Sequence, residues 1–323
     1  MATRPAQHRD PVPSPTASPA PAPAGPAGAS RTLRPVLRVA LLALLPVLLG
    51  ACSAPPSSPK ESHTAPAVSS HYPAGHIHGM SIDPATNRIL LATHDGLFDV
   101  SQAPAVQVGP TIDLMGFTTG ADGTLYASGH PSPGTDLPNP VGLIESTDAG
   151  QSWRPLSRQG ESDFHALAAT SSGLVGHDGE LLTSTDKTKW EPSAADIPAH
   201  HLAGSTTSDV VLATTEDGLQ RSADSGRTWS PVPGAPLLAL TAFAGSDAVG
   251  IAADGQVHTS IDGGLTWRER GTIDNQPAAI AATRTSDGTL RVWAATDSGV
   301  QVSSDNGLTF TDLAVPGGNE TPR

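Results

Sequence analysis

The sequence predicts an all-β chain, a β-propeller of six blades (seven is the alternative) preceded by a disordered N-terminal segment. Three observations predict it. Gly 33 and Pro 31 make up about a fifth of the 323 residues, while charged residues reach 15% and aromatics 4%. A chain short of Lys and Glu but rich in Gly, Thr, Ser and Asp favours turns and strands over helices. From about His76 onward the sequence resembles itself at a period near 40 residues, a signature of radial or solenoid repeats. Each period also carries a Gly-centred hairpin signal between two strand-like runs.

The elements follow in chain order. Residues 1–30 are mostly Pro, Ala and Ser and bury too little apolar surface to order themselves. Arg31, Arg34 and Arg38 precede the apolar run from Val39 to Leu49, which is shorter than the ~20 residues of a membrane span and reads as a signal-peptide core. The run ends in Leu49-Gly50-Ala51-Cys52. Residues 52–74, rich in Pro, Ser and Ala, read as a tether. Residues 75–316 hold the repeats, and 317–323 form a tail.

Six turns mark the blades: Asp95-Gly96, Gly142, Asp178-Gly179, Asp217-Gly218, Asp254-Gly255 and Ser298-Gly299, at spacings of 46, 37, 39, 37 and 44 residues. Strand-like runs flank them, as in Arg88–Thr93, Val210–Thr214 and Leu290–Ala295. A second motif recurs after each hairpin from the second period on: Ser146-Thr-Asp148-Ala-Gly150-Gln-Ser152-Trp153, Ser222-Ala-Asp224-Ser-Gly226-Arg-Thr228-Trp229, Ser260-Ile-Asp262-Gly-Gly264-Leu-Thr266-Trp267 and Ser303-Ser-Asp305-Asn-Gly307-Leu-Thr309-Phe310. A shorter copy, Ser184-Thr-Asp186-Lys-Thr-Lys-Trp190, lacks the Gly. An Asp carboxylate accepts backbone N–H groups in a tight turn, Gly supplies positive φ, and an aromatic ring of this size fills space between sheets. The five aspartates and the aromatic residues Trp153, Trp190, Trp229, Trp267 and Phe310 are therefore assigned to folding.

These copies resemble the Asp-box, or BNR repeat, of sialidase-type β-propellers, and Leu49–Cys52 resembles the lipobox of bacterial lipoproteins. The second resemblance implies that Cys52 is lipidated and becomes the mature N-terminus, on the extracytoplasmic side of the membrane. Loss of residues 1–51 leaves 13 basic against 30 acidic residues, a net −17. The first implies that the hairpin turns and the entries to the inner strands share one face, with the Asp-box turns on the other. Sorted this way, His76, His78, His94, His130, His165, His177 and His201 map to one channel mouth, beside Glu216, Asp217, Asp254 and Asp297. Clustered imidazoles with carboxylates suit Zn²⁺ or Cu²⁺, or a polar organic ligand.

Bacterial lipoproteins with such repeats are often labelled exo-α-sialidases or glycosyl hydrolases, which makes a glycosidase of envelope or extracellular glycans the competing expectation. A sialidase uses a Tyr nucleophile, an Asp acid/base and three Arg. Here Tyr72 lies in the tether and Tyr126 early in the repeats, while Arg154, Arg227, Arg268 and Arg270 fall in or beside Asp-boxes on the wrong face. A net charge of −13, with Lys60, Lys187 and Lys189 the only lysines, excludes a nucleic-acid binder. A single Cys excludes disulfides and multi-Cys zinc sites. The expectation is a lipid-anchored binding or scaffold module.

Overall fold

The computed structural model describes residues 72, 73, 75–83 and 86–314. These residues form six four-stranded antiparallel sheets, each from contiguous chain. Blade 1 is Ile77–Asp83, Arg88–Thr93, Gly96–Asp99 and Val106–Val108 (β1–β4); blade 2 is Ile112–Thr119, Leu125–Pro131, Leu143–Ser146 and Arg154–Ser157 (β5–β8). Blade 3 is Ala166–Ala169, Leu174–His177, Leu181–Ser184 and Glu191–Pro192 (β9–β12); blade 4 is His201–Gly204, Val211–Thr215, Gly218–Ser222 and Ser230–Pro231 (β13–β16). Blade 5 is Leu238–Ala244, Asp247–Ala252, Gln256–Ser260 and Arg268–Thr272 (β17–β20); blade 6 is Ala279–Arg284, Leu290–Thr296, Gly299–Ser303 and Thr311–Asp312 (β21–β24). The first strand of each blade touches that of the next, and β21 returns to β1, closing a ring of six inner strands. The seven-blade alternative is thereby corrected: blade 6 supplies all four of its own strands, and among the described residues no split blade remains.

The core is divided among six seams, one per pair of adjacent blades. Leu90, Leu97 and Val108 of blade 1 meet Ile112, Leu114 and Ile144 of blade 2, and Trp153 packs on that seam. Trp190, Trp229, Trp267 and Phe310 do the same for the following four seams. All five rings are half-buried rather than engulfed. Among the described residues the sixth seam, between blades 6 and 1, has no ring from an aspartate turn. Trp293 fills it instead, and Phe98 and Tyr72, the latter placed by the sequence in the tether, pack against it.

The aspartate turns follow the sequence motif. Asp148 Oδ1 accepts Ser146 Oγ at 2.7 Å and the Ser152 N–H at 2.9 Å, while Oδ2 accepts Ser152 Oγ at 2.5 Å. Asp224, Asp262 and Asp305 repeat the pattern. Hydrogen bonds from the Ser152 hydroxyl and N–H, with that from Ser146, hold the Asp148 carboxyl at about 2. Gly150 has two reasons to be glycine. Its φ is +90°, and a Cβ there would stand 2.2 Å from Leu97 Cδ2 of blade 1. The turn is thus also the point where one blade leans on its neighbour. In the short copy, Lys187 takes the left-handed place at φ 66°, and Asp186 accepts the Thr188 and Lys189 N–H groups. Blade 1 lacks the motif; there Asp99 accepts Ser101 N–H at 3.0 Å and pairs with Arg88 at 2.7 Å.

Candidate functional site

The inner strands enclose a central channel of about 1120 Å³. Its wall is mostly small, with Ser81, Thr118, Ala203, Thr241 and Ala281 among the lining residues. His78, His165 and His201 line it where the inner strands begin, while Arg88 and Arg284 line the opposite end. Both arginines are paired, with Asp99 and Asp247 respectively.

At the histidine end, one group joins blades 1 and 2. His78 is the extra residue of a β-bulge, since Ile77 pairs with Thr93 and Gly79 with Ala92. A bulge re-aims its side chain, and here His78 Nε2 stands 3.2 Å from His94 Nε2, on the β2–β3 turn. The rings meet edge to face at 4.4 Å between centroids, and His76 lies 5.5 Å from His94. The other nitrogen of His94, Nδ1, is 2.8 Å from Asp113 Oδ1 on β5. Only a donor satisfies that carboxylate, so His94 carries a hydrogen on Nδ1 and turns Nε2 to His78. Burial lowers the pKa of His78, the neighbouring His94 adds to this, and Asp113 opposes it. His78 is therefore neutral at pH 7. Gly79 lets β1 approach β5, because a Cβ there would sit 2.8 Å from Phe117 Cβ.

A second group joins blades 2 and 3. His130 Nδ1 is 2.8 Å from Asn139 Oδ1 and Nε2 is 3.0 Å from Asp163 Oδ2. Two acceptors face one ring, and only the imidazolium donates to both. The bond to Asn139 raises the pKa of His130, burial opposes it, and Asp163 and Asp113 add to it. His165 Nε2 lies 3.5 Å from the same Asp163 oxygen. The other oxygen of Asp163, Oδ1, is buried with no partner among the described residues.

Among the described residues, His78 and His94 with Asp113 are the group close enough to share one ion. His76, His78 and His94 form one group and His130 and His165 another. His177 stands beside Asp178, with its pKa lowered by burial. His201 is spent in the channel wall, where Nε2 lies 2.8 Å from the Thr241 carbonyl. Burial lowers its pKa, and the Thr241 bond opposes that. Sequence reasoning missed Asp113 and Asp163. A signal for Asp113 was present: it is the second residue of its inner strand, the position His78 holds in blade 1, and it pairs in register with His130.

Of the carboxylates that the repeat places at the mouth, Glu216 faces His200 at 3.9 Å, Asp254 accepts the Gln256 N–H, and the charge of Asp297 acts on Tyr72. With Asp217, they sit on the hairpin turns of blades 4, 5 and 6. Tyr126 is buried in the seam of blades 2 and 3, with Lys187 Nζ 4.9 Å over its ring. Cys52 lies outside the described residues.

No family model and no curated protein matches the chain. Among solved structures, it is similar to the extracellular domain of a hybrid two-component system from B. thetaiotaomicron, with 15% identity and a TM-score of 0.47, covering 76% of this chain and 34% of that one. An ancestral GH74 enzyme gives 12% identity and a TM-score of 0.47 over 74% of this chain and 38% of that one. U3-55K gives 13% and 0.47 over 76% of this chain and 84% of that one. The chain therefore spans about a third of the first of these structures. Likeness at this level concerns the fold alone.

Proposed function

We propose that this chain is a lipid-anchored, extracytoplasmic binding or scaffold module, an Asp-box propeller carried on a tether from Cys52, with its histidine rim as the binding face. The contrast between the two sets of loops carries this reading. The aspartate turns spend their carboxylates on their own backbone and hydroxyl groups. On the histidine rim, groups from separate blades face one another, and Asp163 Oδ1 is buried without a partner among the described residues. An incompletely paired polar array beside a channel is what a metal ion or a polar ligand completes. Lipid at Cys52 holds the module at the membrane, while its acidic body is repelled by anionic headgroups.

The test uses full-length protein in detergent, with thermal shifts measured against metal salts and small polar compounds, alongside a panel of chromogenic glycosides. The reading expects a stabilising ligand whose effect is lost in rim substitutions such as His165→Ala and kept in Asp262→Asn. It also expects no glycoside turnover. Turnover, or a shift insensitive to every rim substitution, contradicts it.

A further inference from the structure

We infer that His78 Nε2 and His94 Nε2 are the two jaws of a transition-metal site on blade 1, with Asp113 of blade 2 as the carboxylate that orients His94. This rests on the rim reading above and narrows it to an ion class and named atoms.

The distances fit the chemistry. Two metal–nitrogen bonds of ~2.0–2.1 Å at a tetrahedral angle place their nitrogens about 3.3 Å apart. The two Nε2 atoms stand 3.2 Å apart, so both reach one ion with little movement of either strand. In the metal-free protein the same gap takes a hydrogen bond between the two rings. The ion takes the place of that bond's hydrogen, which leaves as a proton to solvent or to the free His78 Nδ1, because only an unprotonated nitrogen coordinates.

Two further features show a prepared site. The bulge in β1 falls on His78 itself and turns its ring toward His94. Asp113, 2.8 Å from His94 Nδ1, supplies the carboxylate–histidine partnership that fixes the tautomer and raises the basicity of a metal-binding nitrogen. His78, His94 and Asp113 come from three different segments of two blades. His76 offers a further imidazole, and the remaining positions are left to water or an incoming ligand. Nitrogen ligands with open positions suit Zn²⁺, Ni²⁺ and Cu²⁺, and the usual order of affinities places Cu²⁺ first.

The experiment titrates full-length protein in detergent with Cu²⁺ alone, against a competing chelator, and records the paramagnetic resonance spectrum for nitrogen couplings. His78→Ala and His94→Ala should each weaken binding by more than about 100-fold and remove one nitrogen coupling, because losing a ligand exceeds the ~10–100-fold cost of losing its outer partner. Asp113→Asn should weaken binding by ~10–100-fold and keep both couplings. His94 is exposed, so His94→Gln, with an unchanged thermal midpoint, separates ligand loss from misfolding. Wild-type affinity in both histidine variants overturns the site. If affinity instead falls only in His130→Ala or His165→Ala, the jaw is overturned and the rim reading stands. Binding indifferent to all four histidines overturns both.

Discussion

Replacing Gly150 with Ala isolates the contact on which the blades lean. Two costs add at this position. An L-residue in the left-handed region costs ~1–2 kcal/mol, and Gly150 sits at φ +90°. Its new Cβ would also stand 2.2 Å from Leu97 Cδ2, and Leu97 is fully buried in the seam of blades 1 and 2. Overpacking a closed site of this kind costs ~1–3 kcal/mol, so the whole effect is about 2–5 kcal/mol. Gly245 is the matched control: its φ is +69° and nothing lies within 4 Å of a Cβ built there. Gly245→Ala should cost only the first term, and the smaller unfolded-state entropy of Ala cancels between the two variants. Guanidinium unfolding followed by circular dichroism and by tryptophan fluorescence measures both, since Trp153 packs on the seam concerned. If Gly150→Ala costs no more than Gly245→Ala, the blade-to-blade contact is not what the turn glycine protects.

Trp229→Ala should cost about 2–4 kcal/mol, below the value for an engulfed ring, because Trp229 is half-buried and also donates to Gly226 O at 2.9 Å; Trp229→Phe should recover most of it in the same unfolding assay. His130 has a raised pKa, so the tie it makes from Asn139 to Asp163 is complete below the ordinary imidazole value of ~6.5 and is lost as pH rises through its folded value. Hydrogen exchange in the loop 132–142 should accelerate between pH 6 and pH 8 beyond the intrinsic rate, and His130→Gln should remove that excess. Cys52→Ser should appear unlipidated, in the soluble or unprocessed fraction; normal processing with retention at the membrane would count against the lipobox.

What the sequence made legible is what local chemistry determines. The aspartate turns could be read because Ser146, Asp148 and Ser152 are close in sequence and satisfy one another. Five of the six hairpins could be read because each marks a tight reversal between two strands; Gly142 instead ends the long loop 132–142 of blade 2, and blade number still followed from the count. Asp113 was hidden because it stands in a strand with no motif and meets His94 only when blade 2 stacks on blade 1. Asp163 was hidden likewise, in the approach to β9, where it meets His130 of the preceding blade. His201 stands in the channel wall where its position in the repeat puts it, but the turn of its ring to a carbonyl of blade 5 is a contact that the repeat does not determine. Tyr72 looked like tether because its partners, around Trp293 in the last blade, are more than two hundred residues away.

The central claim is that the histidine rim binds, through two nitrogens of blade 1 held by a carboxylate of blade 2. Crystals grown with Zn²⁺ and measured on both sides of the zinc absorption edge test it most directly. The account predicts an anomalous peak about 2.0–2.1 Å from both His78 Nε2 and His94 Nε2, with Asp113 still on His94 Nδ1. A fully occupied zinc at the aspartate turns or the Arg284 end of the channel, with nothing between His78 and His94, would contradict it.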